Sequence, residues 1–432
     1  MKRRTLIKNK ALLARAEKVI PRASQTLSKA PDQFVRGVSP FAIAKGKGAR
    51  VWDVDGNEYI DLTSSLGAIV LGYQHPVIER AVLEQRKRGT IFGLPGDAEV
   101  ALAERLTKIM PFIEMVRFGL NGSDVTSAAV RVARAYTGRD HIAKCGYHGW
   151  ADWSIATHPL RHGGIPQAVK NLTHEFIYND IESLRAIFTQ YPNQVAAVTL
   201  EPVHSTLPNA GFLEEVKRVT HEYGAVLVFD ELVTGFRLGM GGAARRFGVE
   251  PDLACYGKAI SNGEPLSVLA GKREIMQALD ANNIFFSFTY AGYLPSLRAA
   301  LATLTFMQKK KVHAILRRQG EKIMRGYNQS AKKHAVPTVA AGVSPIIGFM
   351  FKDEKGGDNL PLKSLFLQEC AKVGILTNGT ALINYAHTDA IVAKVLEQFE
   401  QVLALLGRAV REHTVETLLE GPVIRPRSRP TH

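Results

Sequence analysis

Between about residue 98 and residue 290 the chain alternates short apolar runs with stretches of helical periodicity, and this alternation narrows its fold more than any other feature. The runs Met115–Gly119, His141–Cys145, Val195–Glu201, Ala225–Asp230, Leu253–Tyr256 and Leu266–Gly271 each have the length and composition of a buried strand. Between them, Ala98–Ile109, Thr126–Tyr136, Ile181–Gln190 and Leu213–Glu222 repeat apolar residues at helical spacing. Strands joined by helical crossovers pair in parallel, and near-continuous apolar strands are covered on both faces. The expected fold is α/β: a large domain with a mainly parallel sheet, plus a smaller α+β domain built from the N-terminal segment and the C-terminal part.

The flanks of this block read differently. Apolar positions at helical spacing in 5–20 stop at Pro21, and 21–48, rich in Pro, Gly and Ser, reads as an extended connector. Arg50–Asp61 alternates about an Asp55-Gly56-Asn57 turn, as a β-hairpin does. A long helix is expected over 294–318, followed by short strands at Gly348–Lys352 and Ile375–Thr377 and helices over 362–373 and 388–412. At 432 residues the chain exceeds what one core usually serves. The expected division is an N-terminal segment, 1–60, packing with the small domain; a large domain, 61–320; and a C-terminal small domain, 321–432.

Composition removes several function classes. With 46% apolar and 22% charged residues the chain is neither disordered nor fibrous, and no uninterrupted apolar run is long enough for a membrane span. Lysines and arginines interrupt the first twenty residues, so a secretory signal is not expected. Cys145, Cys255 and Cys370 lie far apart without ligand spacing, a pattern expected of a reduced, cytoplasmic protein with no disulfide framework and no metal site. The formal charge is +15, but residues 1–29 hold nine Lys/Arg against one acidic residue and 421–432 add three arginines. An excess that sits mostly at the termini reads as solvated tails, so no nucleic-acid partner is expected.

Ligands of doubly wound sheets gather where strands end, and four strand ends carry reactive residue types. Asn121-Gly122-Ser123-Asp124 opens a helix, where backbone N–H groups favour a phosphate; the same residues also serve as a plain N-cap. Tyr147-His148-Gly149-Trp150 places an aromatic in a loop, either to stack on a planar ligand or to pack against protein. Asp230-Glu231 closes a buried strand, where an acid needs a partner. That partner is a cationic ring nitrogen or a nearby base such as Arg237. Lys258 emerges from the Leu253–Tyr256 strand, where a desolvated lysine becomes a Schiff-base nucleophile, or else pairs with an acid. The glycines of 239–244 are no dinucleotide fingerprint, since no strand runs into them.

A phosphate-cradling helix start, a stacking aromatic, a strand-end Asp and a strand-end Lys together meet the needs of pyridoxal 5′-phosphate. The sequence resembles the class III, fold type I aminotransferases, especially the branch similar to glutamate-1-semialdehyde aminomutase. The resemblance runs over nearly the whole chain: Gly48–Asp61 (GARVWDVDGNEYID), Leu71–Pro76 (LGYQHP), Phe229–Arg237 (FDELVTGFR), Pro251–Ile260 (PDLACYGKAI) and Leu418–Val423 (LLEGPV).

The resemblance implies that Lys258 holds the cofactor aldehyde and shuttles a proton, and that Asp230 keeps the pyridine nitrogen protonated. It implies that Tyr147 stacks on one ring face, Leu232 packs on the other, and His148 supports the pocket. Gly122, Ser123 and the Asp124 backbone would bind the phosphate. Thr289 would reach the phosphate of a neighbouring subunit, which implies a homodimer with its active site at the interface. Glu201 would lie near the cofactor and Asn209 near the ring hydroxyl. Two departures concern the substrate. Where the aminomutase carries an Arg in a Ser-Pro-Val-Arg-Ala-Phe stretch, this chain reads Ser39-Pro40-Phe41-Ala42-Ile43-Ala44, and losing that contact removes about 1.5–3 kcal/mol of selectivity. Thr289–Pro295 is also one residue longer than the family's usual Thr-x-Ser-Gly-x-Pro.

The expected function is transfer of an amino group from an amino acid donor, glutamate by family default, to an aldehyde or ketone acceptor, which the variant loops associate with modified sugars or secondary metabolites. The alternatives are an intramolecular 2,1-aminomutase and, in another class, a non-catalytic protein whose basic tails dock on an acidic partner.

Overall fold

The computed structural model describes residues 4–203, 206–353 and 355–425. By their internal contacts the described residues divide into two compact units, one within 1–75 and 314–428 and the other centred on 76–313.

The unit centred on 76–313 holds a seven-stranded sheet in the order Met115–Gly119, Ser267–Gly271, Leu253–Gly257, Val226–Asp230, Val195–Leu200, His141–Cys145, Thr173–Glu175. From Leu253–Gly257 to Thr173–Glu175 every pairing is parallel. Ser267–Gly271 runs antiparallel to both its neighbours, so the sheet is mainly, not wholly, parallel. The central strands are buried along their whole length because both faces are covered. On one face helix Gly122–Thr137 packs Val125, Ala129 and Val132 against Ala197, Val228 and Cys255. On the other, helices Ile181–Gln190 and Phe212–Glu222 bring Leu184, Phe188 and Val216 onto Val198, Leu227 and Phe229. Burial on both sides leaves the strand ends as the places where polar side chains reach a solvent-facing rim.

The other unit contains two small sheets. In one, Ile43–Lys47, Arg50–Asp53 and Glu58–Asp61 form an antiparallel meander, and Ile375–Leu376 adds parallel to its last strand. In the other, Thr338–Val343, Ile346–Phe351 and Thr380–Leu382 pair antiparallel. Tyr327, Phe349, Phe366 and Phe399 interlock at its core, with ring centroids 4.6–5.9 Å apart.

Three expectations change. The connector 21–48 is not wholly irregular: it contains short 3₁₀ turns and the strand Ile43–Lys47, whose side chains are almost all exposed and so show no apolar face to betray it. The single helix over 294–318 is two helices, Leu294–Lys309 and Val312–Lys333. The chain turns at Lys311, at φ +49°, and without Gly or Pro that break is invisible in the sequence. The helix expected from Thr126 starts at Gly122, so the Asn121 turn is itself the cap.

An edge pair gives a pH-dependent prediction. His174 and His141 sit on adjacent strands, with His141 Nδ1 2.7 Å from His174 Nε2, and both rings pack on Tyr191. Burial, reinforced by His141, depresses His174 from its ordinary 6.5 to about 4. Between those values the unfolded chain binds a proton that the folded imidazole refuses, so this contribution is intact above pH 6.5 and drains away as pH falls toward 4. Urea midpoints should drop across that window in the wild-type protein and drop less in His174→Gln.

Candidate active site

Four strand ends and the turns after them converge on the buried carboxylate of Asp230. Val226–Asp230 lies beside Leu253–Gly257 with Asp230 opposite Cys255, so Asp230 and the turn beginning at Lys258 share one end of the sheet. The Glu231 N–H, donating to the Cys255 carbonyl at 2.9 Å, carries the ladder one step further. Lys258 is half-buried and left-handed at φ +48°, between a fully buried strand and a 3₁₀ turn. A non-glycine residue in that conformation costs about 1–3 kcal/mol and persists only where its surroundings impose it.

Asp230 is 4% exposed, and its partner is His148, itself wholly buried. His148 Nδ1 stands 2.9 Å from Asp230 Oδ2, and His148 Nε2 stands 3.0 Å from the Cys145 carbonyl. A carbonyl only accepts, so Nε2 is the nitrogen that donates toward Cys145. The ring is parallel to Trp153 at 5.9 Å. Its backbone is gripped on both sides: the His148 N–H donates to Ser154 Oγ at 3.1 Å, and Thr126 Oγ1 donates to the His148 carbonyl at 2.7 Å. The second Asp230 oxygen, Oδ1, accepts the Leu232 N–H at 3.1 Å. The strand-end acid therefore pairs with an imidazole rather than with Arg237, which is buried too and whose guanidinium burial brings down to about 10.

Glu231 turns away from this cluster into a closed one. Its carboxylate accepts from Thr234 Oγ1 and from the Ala243 and Ala244 N–H groups at 2.9 and 2.8 Å. Burial pushes it up to about 7 against those hydrogen bonds, with Asp230 adding to the rise. Its task is to hold the 234–244 loop.

The Asn121 turn realises both readings of its sequence. Asn121 Oδ1 caps the Ser123 N–H at 3.0 Å, and Asp124 Oδ2 accepts the Leu120 and Asn121 N–H groups at 2.9 Å each. The Asp124 carboxylate is thus spent inside the turn. Ser267 Oγ donates to the Asn121 carbonyl at 2.8 Å, pinning the turn to the neighbouring strand. Ser123 Oγ accepts the Trp150 N–H at 3.0 Å, which ties the helix start to the Tyr147–Trp150 loop. Leu232 is wedged between Gly122 and Gly257: a Cβ at either glycine would come within 2.5 or 2.6 Å of its methyl carbons. The phosphate-type turn, the aromatic loop, the Asp230 strand and the Lys258 strand are thereby locked to one another.

Gly149 is where that lock is tightest. It sits at φ +109°, and a Cβ there would lie 2.2 Å from Ser123 Oγ. Gly149→Ala is expected to cost about 2 kcal/mol or more through backbone strain and overlap. The check is a urea titration beside wild type, with cofactor affinity falling in parallel.

The remaining candidates stand further out. Tyr147 is half-buried in the loop before His148. Glu201 follows Val195–Leu200 half-buried, with Oε1 3.7 Å from where a Gly146 Cβ would stand. Thr289 is exposed in a turn between Phe288 and Ala291. Asn209 is exposed, and its hydrogen bonds run from its N–H to Asn179 Oδ1 at 2.8 Å and from the Phe212 N–H to its carbonyl, not to the Asp230 cluster. Thr126, Ser154 and Ser267 hold the site together and were not foreseen. Each is a hydroxyl whose partner lies more than 5 residues away, so no local pattern marks it.

Comparison with known proteins adds the family. Residues 34–403 match the family model of aminotransferase class-III. The chain is 33% identical over 408 residues to a 3-aminobutyryl-CoA aminotransferase of Cloacimonas acidaminovorans, covering 92% of this chain and 97% of that one. It is 34% identical over 434 residues to a glutamate-1-semialdehyde 2,1-aminomutase of Desulfitobacterium hafniense, covering 93% and 99%. Among solved structures it is similar to the FumI protein of Sphingopyxis sp. MTA144 in its pyridoxal phosphate form, with a TM-score of 0.87 at 28% identity over 93% of this chain and 97% of that one. An omega-transaminase from Sphaerobacter thermophilus superposes with a TM-score of 0.84 at 25% identity, covering 93% and 98%. With the matched region spanning most of its length and every motif of the site inside it, the chain belongs to the class III aminotransferases, enzymes of fold type I.

Proposed function

We propose that this chain is a pyridoxal 5′-phosphate-dependent aminotransferase that takes an amino group from an amino acid donor and delivers it to an aldehyde or ketone acceptor. The observation that carries the reading is the buried Asp230 carboxylate, backed by His148 and set on the strand adjacent to the one that leads into Lys258. The donor set suits this cofactor: an anchored helix start with a hydroxyl for a phosphate, a buried anion for a cationic ring nitrogen, and an amine for an aldehyde.

When bound, pyridoxal phosphate supplies an electrophilic aldehyde and an electron-accepting ring. Lys258 Nζ would hold that aldehyde, and its amine would carry a proton to and from the amino-bearing carbon of the substrate. Asp230 would hold a proton at the ring nitrogen, and His148, 2.9 Å away, would keep its carboxylate oriented. Ser123 and the Gly122 and Asp124 backbone bind the phosphate. Leu232 and Tyr147 would flank the ring and exclude water, and Glu201 and Asn209 would lie toward its edge. Thr289, exposed in its turn, reaches a second copy of the chain, and the working form is a homodimer. Glutamate is the donor to test first, and a sugar-derived carbonyl the first acceptor class.

A 2,1-aminomutase is the second reading, favoured by the relatives of that name at 34% and 36% identity. An acceptor panel read by keto acid release separates the two. A transaminase releases one keto acid per donor consumed, whereas a mutase retains its nitrogen and releases none. Release of no keto acid with any donor sinks the first reading.

A further inference from the structure

We infer that Lys144 is a positioning residue for the cofactor ring: its amine fixes the Gly146 carbonyl and so sets the direction in which Tyr147 leaves the strand. The inference rests on the aminotransferase reading and adds a residue to that same site.

A lysine buried this deeply needs a task. Lys144 lies inside His141–Cys145, flanked by Val195–Leu200 and Thr173–Glu175, and its side chain is 2% exposed. Desolvating a cationic side chain is unfavourable unless it is paired and hydrogen-bonded. Lys144 Nζ donates to the Gly146 carbonyl at 3.1 Å and stands 3.4 Å from Glu175 Oε1. Burial pulls the amine below the ordinary lysine range, and Glu175 opposes that pull. An amine donates with or without its extra proton, so the Gly146 contact holds in both states.

Gly146 is where that contact matters. It is left-handed at φ +96°, and with no Cβ its backbone permits other angles. Its carbonyl belongs to the peptide plane that ends in the Tyr147 nitrogen, so a donor on that oxygen orients the plane from which Tyr147 projects. The preceding carbonyl, of Cys145, is held by His148 Nε2 at 3.0 Å. At the far end Gly149, at φ +109°, is fixed through the Ser123–Trp150 contact. Tyr147 and His148 are thus suspended between two left-handed glycines, one clamped by Ser123 and the other by Lys144. Stacking on a planar ring depends on offset and tilt, so a small rotation of the Gly146–Tyr147 plane is felt at the cofactor.

The test uses the full chain loaded with pyridoxal 5′-phosphate. Lys144→Met keeps the length and apolar bulk and removes the donor. It should weaken pyridoxal phosphate binding roughly tenfold or more and reduce the visible circular dichroism of the bound cofactor by about half or more. It should also lower kcat roughly fivefold or more, with KM for the donor within about twofold. Glu175→Gln removes the charge and leaves Lys144 its N–H groups. That variant should lower the thermal midpoint and keep cofactor affinity, ellipticity and kcat within about twofold of wild type. A lysine with only a structural role predicts that Lys144→Met lowers the midpoint while cofactor affinity and ellipticity stay unchanged. That result, or equal losses in both variants, overturns the inference. Should Lys144→Met not fold, Gly146→Ala reads the same hinge, since its Cβ would come no nearer than 3.7 Å to Glu201 Oε1 and strains only the backbone angle. It should repeat the cofactor losses, and wild-type values there also overturn the inference. A wild-type chain that takes up no pyridoxal phosphate sinks the aminotransferase reading and this inference together. Normal uptake by wild type beside an unaffected variant sinks this inference alone.

Discussion

Lys258→Ala should abolish amino transfer, by roughly 10⁴-fold or more, because one side chain serves as both nucleophile and proton carrier. The loss should not come from unfolding. Lys258 already occupies a left-handed conformation at φ +48°, and alanine shares its backbone preferences, so no new strain is introduced. Circular dichroism and thermal midpoint should stay near wild type while keto acid release disappears. A second readout is independent of turnover: borohydride should fix the cofactor covalently to the wild-type chain and leave the variant unlabelled. Normal turnover, or borohydride labelling of the variant, removes Lys258 from the reaction.

Asp230→Asn should retain cofactor yet slow the reaction on the order of a hundredfold or more, the cost of removing one oriented charge from a water-excluded site. The substitution keeps the shape, and the amide oxygen still meets His148 Nδ1, so the 2.9 Å contact and the fold should survive. What vanishes is the anion that holds a proton on the ring nitrogen. The rate should fall with little change in the concentration of donor at half-maximal rate, and the visible spectrum of the bound cofactor should alter. An unchanged rate and spectrum would sink the electrostatic role. His148→Phe gives the graded comparison: it leaves the carboxylate buried without its partner and should lose both rate and stability.

Most of the strand and helix pattern was legible because burial on both faces demands contiguous apolar runs. Met115–Gly119 and His141–Cys145 are readable to the residue. Ile43–Lys47 was not, since an exposed strand needs no apolar face, and the break at Lys311 was not, since no Gly or Pro announces it. The candidate site was legible as residue types at strand ends. Its wiring was not. Whether Asp230 meets His148 or Arg237 is a choice between partners 82 and 7 positions away, and the distant one won because Val226–Asp230 and His141–Cys145, one strand apart in a parallel stretch of the sheet, end at the same edge.

The amino acids alone determined that strands and helices alternate, that the sheet is mainly parallel, and that Asp230 and Lys258 stand where strands run out. These follow from apolar periodicity, which is local and additive along the chain. Only the tertiary structure decided that Leu232 wedges between Gly122 and Gly257 and that Ser123 grips the Trp150 N–H. Those arrangements depend on which distant groups share a volume, a property of packing that no local spacing encodes.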